Sequence, residues 1–198
     1  TKNIKDIQTA RYYSAALMKN GDLWTWGSMA AMDKYHAIDS SLYTPKTPSV
    51  FMTNVKEFVL TDTYYAAIKN DGTLWMWGCD TNGELGIGDC ELNNFFPRQV
   101  NIPKRVKKVI LSNKGWNKTA AITEDGDLYM WGDNSVYGLG IGENSDNSKS
   151  YNTPQKVNGI SDVSDVSICG STTTAITSSG KVYAWGNIYE YMDQMTHY

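Results

Sequence analysis

His36 and His197 are the only histidines in 198 residues, and their isolation limits the chemistry open to the chain. Neither has a Cys or a second His at metal-ligand spacing, so no zinc site is expected. A Ser-His-Asp relay would need one of them, and no nucleophile-elbow motif is present. The carboxylates Asp125 and Asp127 flank Gly126 in a turn, where Asp serves local hydrogen bonding rather than proton transfer. Gly83, Gly86 and Gly88 invite a phosphate-loop reading. They precede no helix and no Lys-Ser/Thr pair, and the pattern recurs at Gly138, Gly140 and Gly142, so turn geometry accounts for them. The polar tip Glu143 to Asn152 lacks the ligand periodicity of a calcium loop. Cys79, Cys90 and Cys169 are too few for a disulfide scaffold. Cys79 and Cys90 could pair within one loop, but free or buried thiols are the simpler reading, because one Cys is left over either way. The chain is therefore expected to be no enzyme, with no catalytic residue, metal ligand or cofactor.

Binding falls to loops that break a regular pattern. Three copies of a repeated unit keep one interval between their first two apolar stretches (Ile7 to Ala15, Phe58 to Ala66, Val166 to Thr174). The remaining copy, Val109 to Ala120, is longer by three residues and reads Ser112-Asn113-Lys114-Gly115-Trp116-Asn117-Lys118 around the insertion. A Trp in a polar loop is either a contact residue, with Lys114 and Asn117 beside it, or a lid on its own unit. A second candidate is Ser28 to Tyr43, with Lys34, Tyr35 and His36, whose simpler reading is a drifted connection. Asn117-Lys118-Thr119 matches a glycosylation acceptor, which matters only in a eukaryotic secretory protein. The cluster Lys104, Arg105, Lys107 and Lys108 is interleaved with Val106 and Val109 and reads as a solvated strand edge.

The elements that carry these loops repeat. AALMKNGDLWTWG (15–27), AAIKNDGTLWMWG (66–78), AAITEDGDLYMWG (120–132) and TAITSSGKVYAWG (174–186) align without gaps, and their closing glycines lie 51, 54 and 54 residues apart. Each reads as a β-hairpin turning at Asn20-Gly21, Asp71-Gly72, Asp125-Gly126 or Ser179-Gly180. Alternation sends Trp75 and Trp77 to one face and Leu74 and Met76 to the other, so both faces are apolar, as in a sheet packed on two sides. An apolar strand precedes each hairpin (Ile4 to Ile7, Val55 to Val59, Val106 to Leu111, Val163 to Ile168). A Pro-led strand follows three of them (Pro48 to Met52, Pro97 to Ile102, Pro154 to Val157). Four strands per period of about fifty residues make a propeller blade. The fold expected is all-β: one repeat domain over 1–198, with blades near 4–53, 54–104, 105–158 and 159–198, the last truncated. Six of the seven Trp lie in the hairpins, and Trp26-Gly27, Trp77-Gly78, Trp131-Gly132 and Trp185-Gly186 are read as structural.

The phrase G-x-L-W-x-W-G, followed by Asn82-Gly83-Glu84-Leu85-Gly86-Ile87-Gly88-Asp89 and then Pro97, resembles the regulator-of-chromosome-condensation repeat family. The third copy repeats it with Gly138-Leu139-Gly140-Ile141-Gly142 and Pro154, and the resemblance covers nearly the whole chain. The Leu-Gly loop is missing after the first and fourth hairpins, and this degeneracy suggests a bacterial member or a fragment. The resemblance implies a seven-bladed propeller acting chiefly as a protein-binding platform; some members exchange nucleotide on a small GTPase, and one secreted bacterial member inhibits β-lactamases. Four periods cannot close a seven-bladed ring. Three readings stand: a fragment of a longer chain, favoured because the sequence opens at Thr1 and stops inside a repeat; a ring completed by other chains through open blade edges; or a four-bladed ring.

Charge narrows the partners. Eighteen Lys and Arg against 21 Asp and Glu give a net charge of −3, without the basic footprint of a nucleic-acid binder. No apolar run is long enough to span a membrane as a helix. The expected function is a non-catalytic protein-interaction module that grips a partner of unassigned identity by loops on one face. The alternative is a surface or cell-wall carbohydrate binder using exposed Tyr and Trp, and a GTPase exchange factor is a distant third. An extracellular or cell-surface location is favoured over the cytoplasm.

Overall fold

A computed structural model describes residues 3–27, 47–89, 93–112, 116–142 and 145–187. Among the described residues, fifteen strands form four antiparallel sheets, each a meander in chain order. The first holds β1 (Ile4–Thr9), β2 (Tyr13–Met18), β3 (Leu23–Gly27) and β4 (Ser49–Met52). The second holds β5 (Val55–Leu60), β6 (Tyr64–Lys69), β7 (Leu74–Cys79) and β8 (Asn93–Gln99). The third holds β9 (Val106–Leu111), β10 (Lys118–Thr123), β11 (Leu128–Asp133) and β12 (Ser150–Lys156). The fourth shows β13 (Val163–Cys169), β14 (Thr172–Thr177) and β15 (Val182–Gly186) among the described residues. The first strands of successive sheets touch one another, β1 to β5, β5 to β9 and β9 to β13, so the sheets converge on their first strands as propeller blades do.

The period-2 alternation dictates the stacking. Ala66, Ile68, Leu74 and Met76 face the third blade and join Val106, Val109 and Ala121 in one core. The opposite face of the same blade, with Tyr65, Ala67 and Trp77, packs on Tyr13, Ala15, Leu17 and Leu23 of the first. Small alanines in the second strand of each blade let the neighbouring sheet approach, while the third strand supplies bulk. Trp77 and Trp131 are fully buried, and Trp26 and Trp185 are half-buried.

A backbone latch recurs at each junction. The amides of Val55, Val106 and Val163, which open the first strands, donate to the carbonyls of Gly21, Gly72 and Gly126 in the hairpin of the blade before, at 2.8, 2.8 and 3.0 Å. Gly126 shows why the turn needs Gly: its φ is +81°, and a Cβ there would lie 2.7 Å from the Asp162 Cα.

One expectation needs correcting. Pro97 and Pro154 do not lead their strands; they lie inside β8 and β12, where register shifts fall opposite Met76/Gly78 and Met130/Gly132. Both are outer edge strands, and a bulge on an edge tolerates the missing N–H. The basic cluster does lie on a solvated sheet edge, at and just before β9, and most of its charges are paired there. Lys104 pairs with both Asp125 and Asp127, Arg105 with Glu124, and Lys108 with Asp165 of the next blade. These carboxylates lie far along the chain and are brought in by the sheet pairing.

Candidate functional site

Antiparallel pairing sorts the loops to two ends of each blade. Tyr13 pairs with Gly27, Tyr64 with Gly78, Lys118 with Gly132 and Thr172 with Gly186. Loops joining first to second strands and third to fourth strands therefore share one end. Hairpin turns and latches occupy the other. Trp116, Asn117 and the Leu-Gly loops all belong to the loop end. Lys114 and the segment with Lys34, Tyr35 and His36 lie outside the described residues.

Interior side chains at this end tie blades together. The Tyr64 hydroxyl bonds to the carbonyls of Ser112 (2.9 Å) and Lys118 (3.0 Å) in the next blade. Burial pushes its pKa well above the ordinary phenol range, and the nearby Glu84 charge adds to the effect. Lys118 holds the corresponding place one blade on; its Nζ donates to the Gly170 carbonyl at 3.2 Å. The amide of Asn117 donates to Thr81 Oγ1 at 3.0 Å, so this predicted contact residue joins the second and third blades.

The Leu-Gly loops cap the tryptophans. The Glu84 carbonyl accepts from Trp131 Nε1 and Thr119 Oγ1, both at 2.8 Å. One blade later, the Gly138 carbonyl accepts from Trp185 Nε1 (3.1 Å) and Thr173 Oγ1 (2.8 Å). A Cβ on Gly86 would stand 2.5 Å from Trp131 Nε1, which explains the glycine without any phosphate. Asn152 of β12 closes this loop by exchanging backbone and side-chain hydrogen bonds with Gly88. The cleft lined by Tyr137, Gly140, Gly142 and Trp185 lies at the matching position one blade on.

An exposed apolar group remains. Trp116 shows 38% of its surface, Val136 39% and Tyr137 44%. Trp116 does not fold down on its own blade alone: its ring lies 5.3 Å from the Lys118 ammonium and reaches Gly170 of the next blade. Lys118 also reaches toward Gly138, the residue after Tyr137, and so links the two loops. Val136 and Tyr137 both have left-handed backbones, φ 50° and 58°, which is strained for a β-branched side chain. Sequence reasoning found Trp116 through its insertion; it missed Val136 and Tyr137 because positive φ at a non-glycine leaves no mark in composition.

Asp125 and Asp127 are held below the usual carboxylate range, chiefly by hydrogen bonds from Lys104. Cys79 and Cys169 are free thiols; burial pushes Cys79 up to about 11, and Cys169 is exposed. No group of His, Cys, Asp and Glu among the described residues could hold a metal ion. No described helix is long and apolar enough to cross a membrane.

The chain is similar to the RCC1 domain-containing protein RUG3, mitochondrial, of Arabidopsis thaliana, 28% identical over 191 residues, 93% of this chain and 42% of that protein. It is also 28% identical over 189 residues to the ultraviolet-B receptor UVR8 of the same plant, covering 92% of this chain and 41% of the receptor. Among solved structures, Prp20p from Saccharomyces cerevisiae superposes with a TM-score of 0.74 at 21% identity, over 94% of this chain and 46% of that one. The chain thus spans less than half the length of these relatives. All three are eukaryotic, and the bacterial comparison drawn from the sequence gains no support from them. The regulator of chromosome condensation (RCC1) repeat is matched twice, at residues 71–122 and 125–176. Four stacked β-sheets, Trp-Gly hairpins and Leu-Gly caps all answer to that repeat, and the chain belongs to the regulator of chromosome condensation (RCC1) repeat family.

Proposed function

We propose that the chain is a non-catalytic protein-interaction module whose partner docks on the loop end around Trp116 and Tyr137. The observation that carries this reading is the exposed Trp116, poised between Lys118 and Gly170 at the junction of the third and fourth blades. Large aromatic anchors of this kind dominate interface energetics. The strained Val136-Tyr137 backbone, which presents two more apolar side chains, supports it. So does the description of Prp20p by its binding to Gsp1p and histones.

Capture from native extract tests the reading, with the wild-type chain, Trp116→Ala and Tyr137→Ala immobilised in parallel. The expected result is a protein retained by the wild type and lost on both variants, with melting temperatures unchanged. Equal loss of binding and stability assigns Trp116 to packing. The same exposed rings could stack on sugars, which would go with a cell-surface location. Saturable glycan binding lost on Trp116→Ala would move the assignment there. Accelerated nucleotide release from a small GTPase would restore the exchange-factor reading.

A further inference from the structure

Three Asn-Gly pairs occur in the chain, Asn20-Gly21, Asn82-Gly83 and Asn158-Gly159, and the fold treats the third differently. Asn is a labile side chain, and a following Gly leaves its amide carbon open to the next backbone nitrogen, because no Cβ stands in the way. A pair pinned by hydrogen bonds must first open locally. Asn20 is pinned in its hairpin: Nδ2 donates to Asp22 Oδ2 at 2.7 Å, Oδ1 accepts the Asp22 amide at 3.1 Å, and the Gly21 amide donates to the Met18 carbonyl at 3.0 Å. The Asn82 amide donates to Glu84 Oε2 at 2.6 Å, and Gly83 is buried so close to Asn152 that a Cβ would lie 2.6 Å from its Cα. Asn158 is exposed, and neither its side chain nor the Gly159 amide has a hydrogen-bond partner among the described residues. Gly159 has φ +80°, with nothing within 4 Å of where its Cβ would be.

The pair lies at the hairpin end, in the connection from β12 to β13. Both ends of this connection are fixed on the third blade. The Val157 amide donates to the Leu128 carbonyl at 2.9 Å and the Val163 amide to Gly126 at 3.0 Å, with Ile160 buried between them. The second blade has the same connection, with Val100 held by Leu74 and Val106 by Gly72. There Asn101 is exposed although the following blade carries all four strands, so the openness of Asn158 belongs to the connection itself. Asn101 is followed by Ile102, whose branched side chain obstructs the approach that Gly159 permits and whose amide donates to the Val100 carbonyl at 3.1 Å.

We propose that Asn158-Gly159 is a modification site, at which the folded chain converts its own asparagine to isoaspartate and aspartate. The Gly159 nitrogen gives its proton to hydroxide and attacks Asn158 Cγ. The new C–N bond closes a succinimide, the Cγ–Nδ2 bond breaks, and ammonia leaves with a proton from water. A water molecule then opens the ring: cleavage at Cγ gives aspartate, and cleavage at the backbone carbonyl gives isoaspartate. Either product adds a carboxylate. Isoaspartate also adds a methylene to a connection pinned at both ends, which delivers the change to the latch between the third and fourth blades. The site is separate from the loop end around Trp116.

Peptide mapping by mass spectrometry tests it on the 198-residue chain, held folded in heavy-oxygen water at mildly alkaline pH and sampled over weeks. Asn158 is expected to convert on the order of tenfold faster than Asn20 or Asn82, whose surroundings must open first. Its product should carry heavy oxygen and separate into isoaspartyl and aspartyl peptides, while Asn101 stays intact. Asn158→Gln should remove the product and leave the melting temperature unchanged. Equal rates at the three Asn-Gly pairs, or faster conversion at Asn101, overturn the proposal. So does an Asn158 that survives in the folded chain while a short peptide of the same sequence converts. Hydrogen exchange at the start of β13 should be faster in the isolated isoaspartyl form than in Asn158→Asp, which has the charge without the methylene. Identical exchange would overturn the effect on the latch.

Discussion

Asp80 and Asn134 hold the same place in successive blades, two residues after the closing glycine, and each accepts the amide of its loop leucine: Leu85 at 3.1 Å and Leu139 at 3.2 Å. Asn134 uses its second polar atom as well, donating to Ser145 Oγ and the Asp146 carbonyl. Asp80 has no donor to offer when ionised, and its buried Oδ2 has no partner among the described residues. Protonation would make the carboxyl imitate the amide.

Burial pushes the Asp80 pKa up from 3.8 to about 7, and the charges of Glu84 and Asp89 push the same way. For an acid whose folded pKa is raised, the folded state holds the extra proton between those two values. Stability from this group therefore falls as pH rises from 3.8 to about 7, and then levels off. Asp80→Asn should melt higher than wild type at pH 8, by roughly 2 kcal/mol, with the difference vanishing near pH 4. Thermal melts of both chains across that range check it, and a constant difference would show that Asp80 does not titrate there.

Trp131 and Trp77 are equally buried but differ in one hydrogen bond. Trp131 Nε1 donates to Glu84, while Trp77 Nε1 has no partner among the described residues. Replacement by Phe removes similar packing at both places. Trp131→Phe should thus cost about 1 kcal/mol more than Trp77→Phe in urea unfolding. Equal losses would mean that the loop carbonyl contributes nothing beyond contact.

Gly86 and Gly159 separate backbone strain from crowding. Both have positive φ, +69° and +80°, but only Gly86 faces a neighbour, the Trp131 indole. Gly159→Ala should cost about 1 kcal/mol through its backbone alone. Gly86→Ala adds a clash and should lose roughly 2 kcal/mol more, with a shift in tryptophan emission.

The blades were legible because their signals are local. Alternation in Leu74 to Trp77, a Gly at each turn and an even spacing of Trp-Gly pairs need no distant information. The errors arose where closure of the sheets sets the outcome. The partner of Lys108 went unassigned because Asp165 is 57 residues away, joined only once β9 meets β13. Pro97 looked like a strand start because a bulge on an edge strand leaves no compositional sign. Trp116 was found because an insertion interrupts a repeat, whereas the latches were invisible, being made by backbone atoms that every sequence has.

Lys118 offers the last test, since it carries a charge into a place that Tyr64 fills with a neutral hydroxyl one blade earlier. The side chain is buried, and burial pulls its pKa below the usual 10.5, with Asp133 offsetting part of the effect. A base with a lowered folded pKa is destabilising while both states are charged. The penalty fades as pH rises from the folded value toward 10.5, where the unfolded chain also loses its proton. Lys118→Met removes the charge along with the single bond to Gly170, so the two changes oppose each other. Its stability at pH 7 should stay within about 1 kcal/mol of wild type, and wild type should gain on the variant as pH approaches 10. A loss of several kcal/mol at pH 7, with no convergence on alkalinisation, would instead make the ammonium the principal tie between the third and fourth blades.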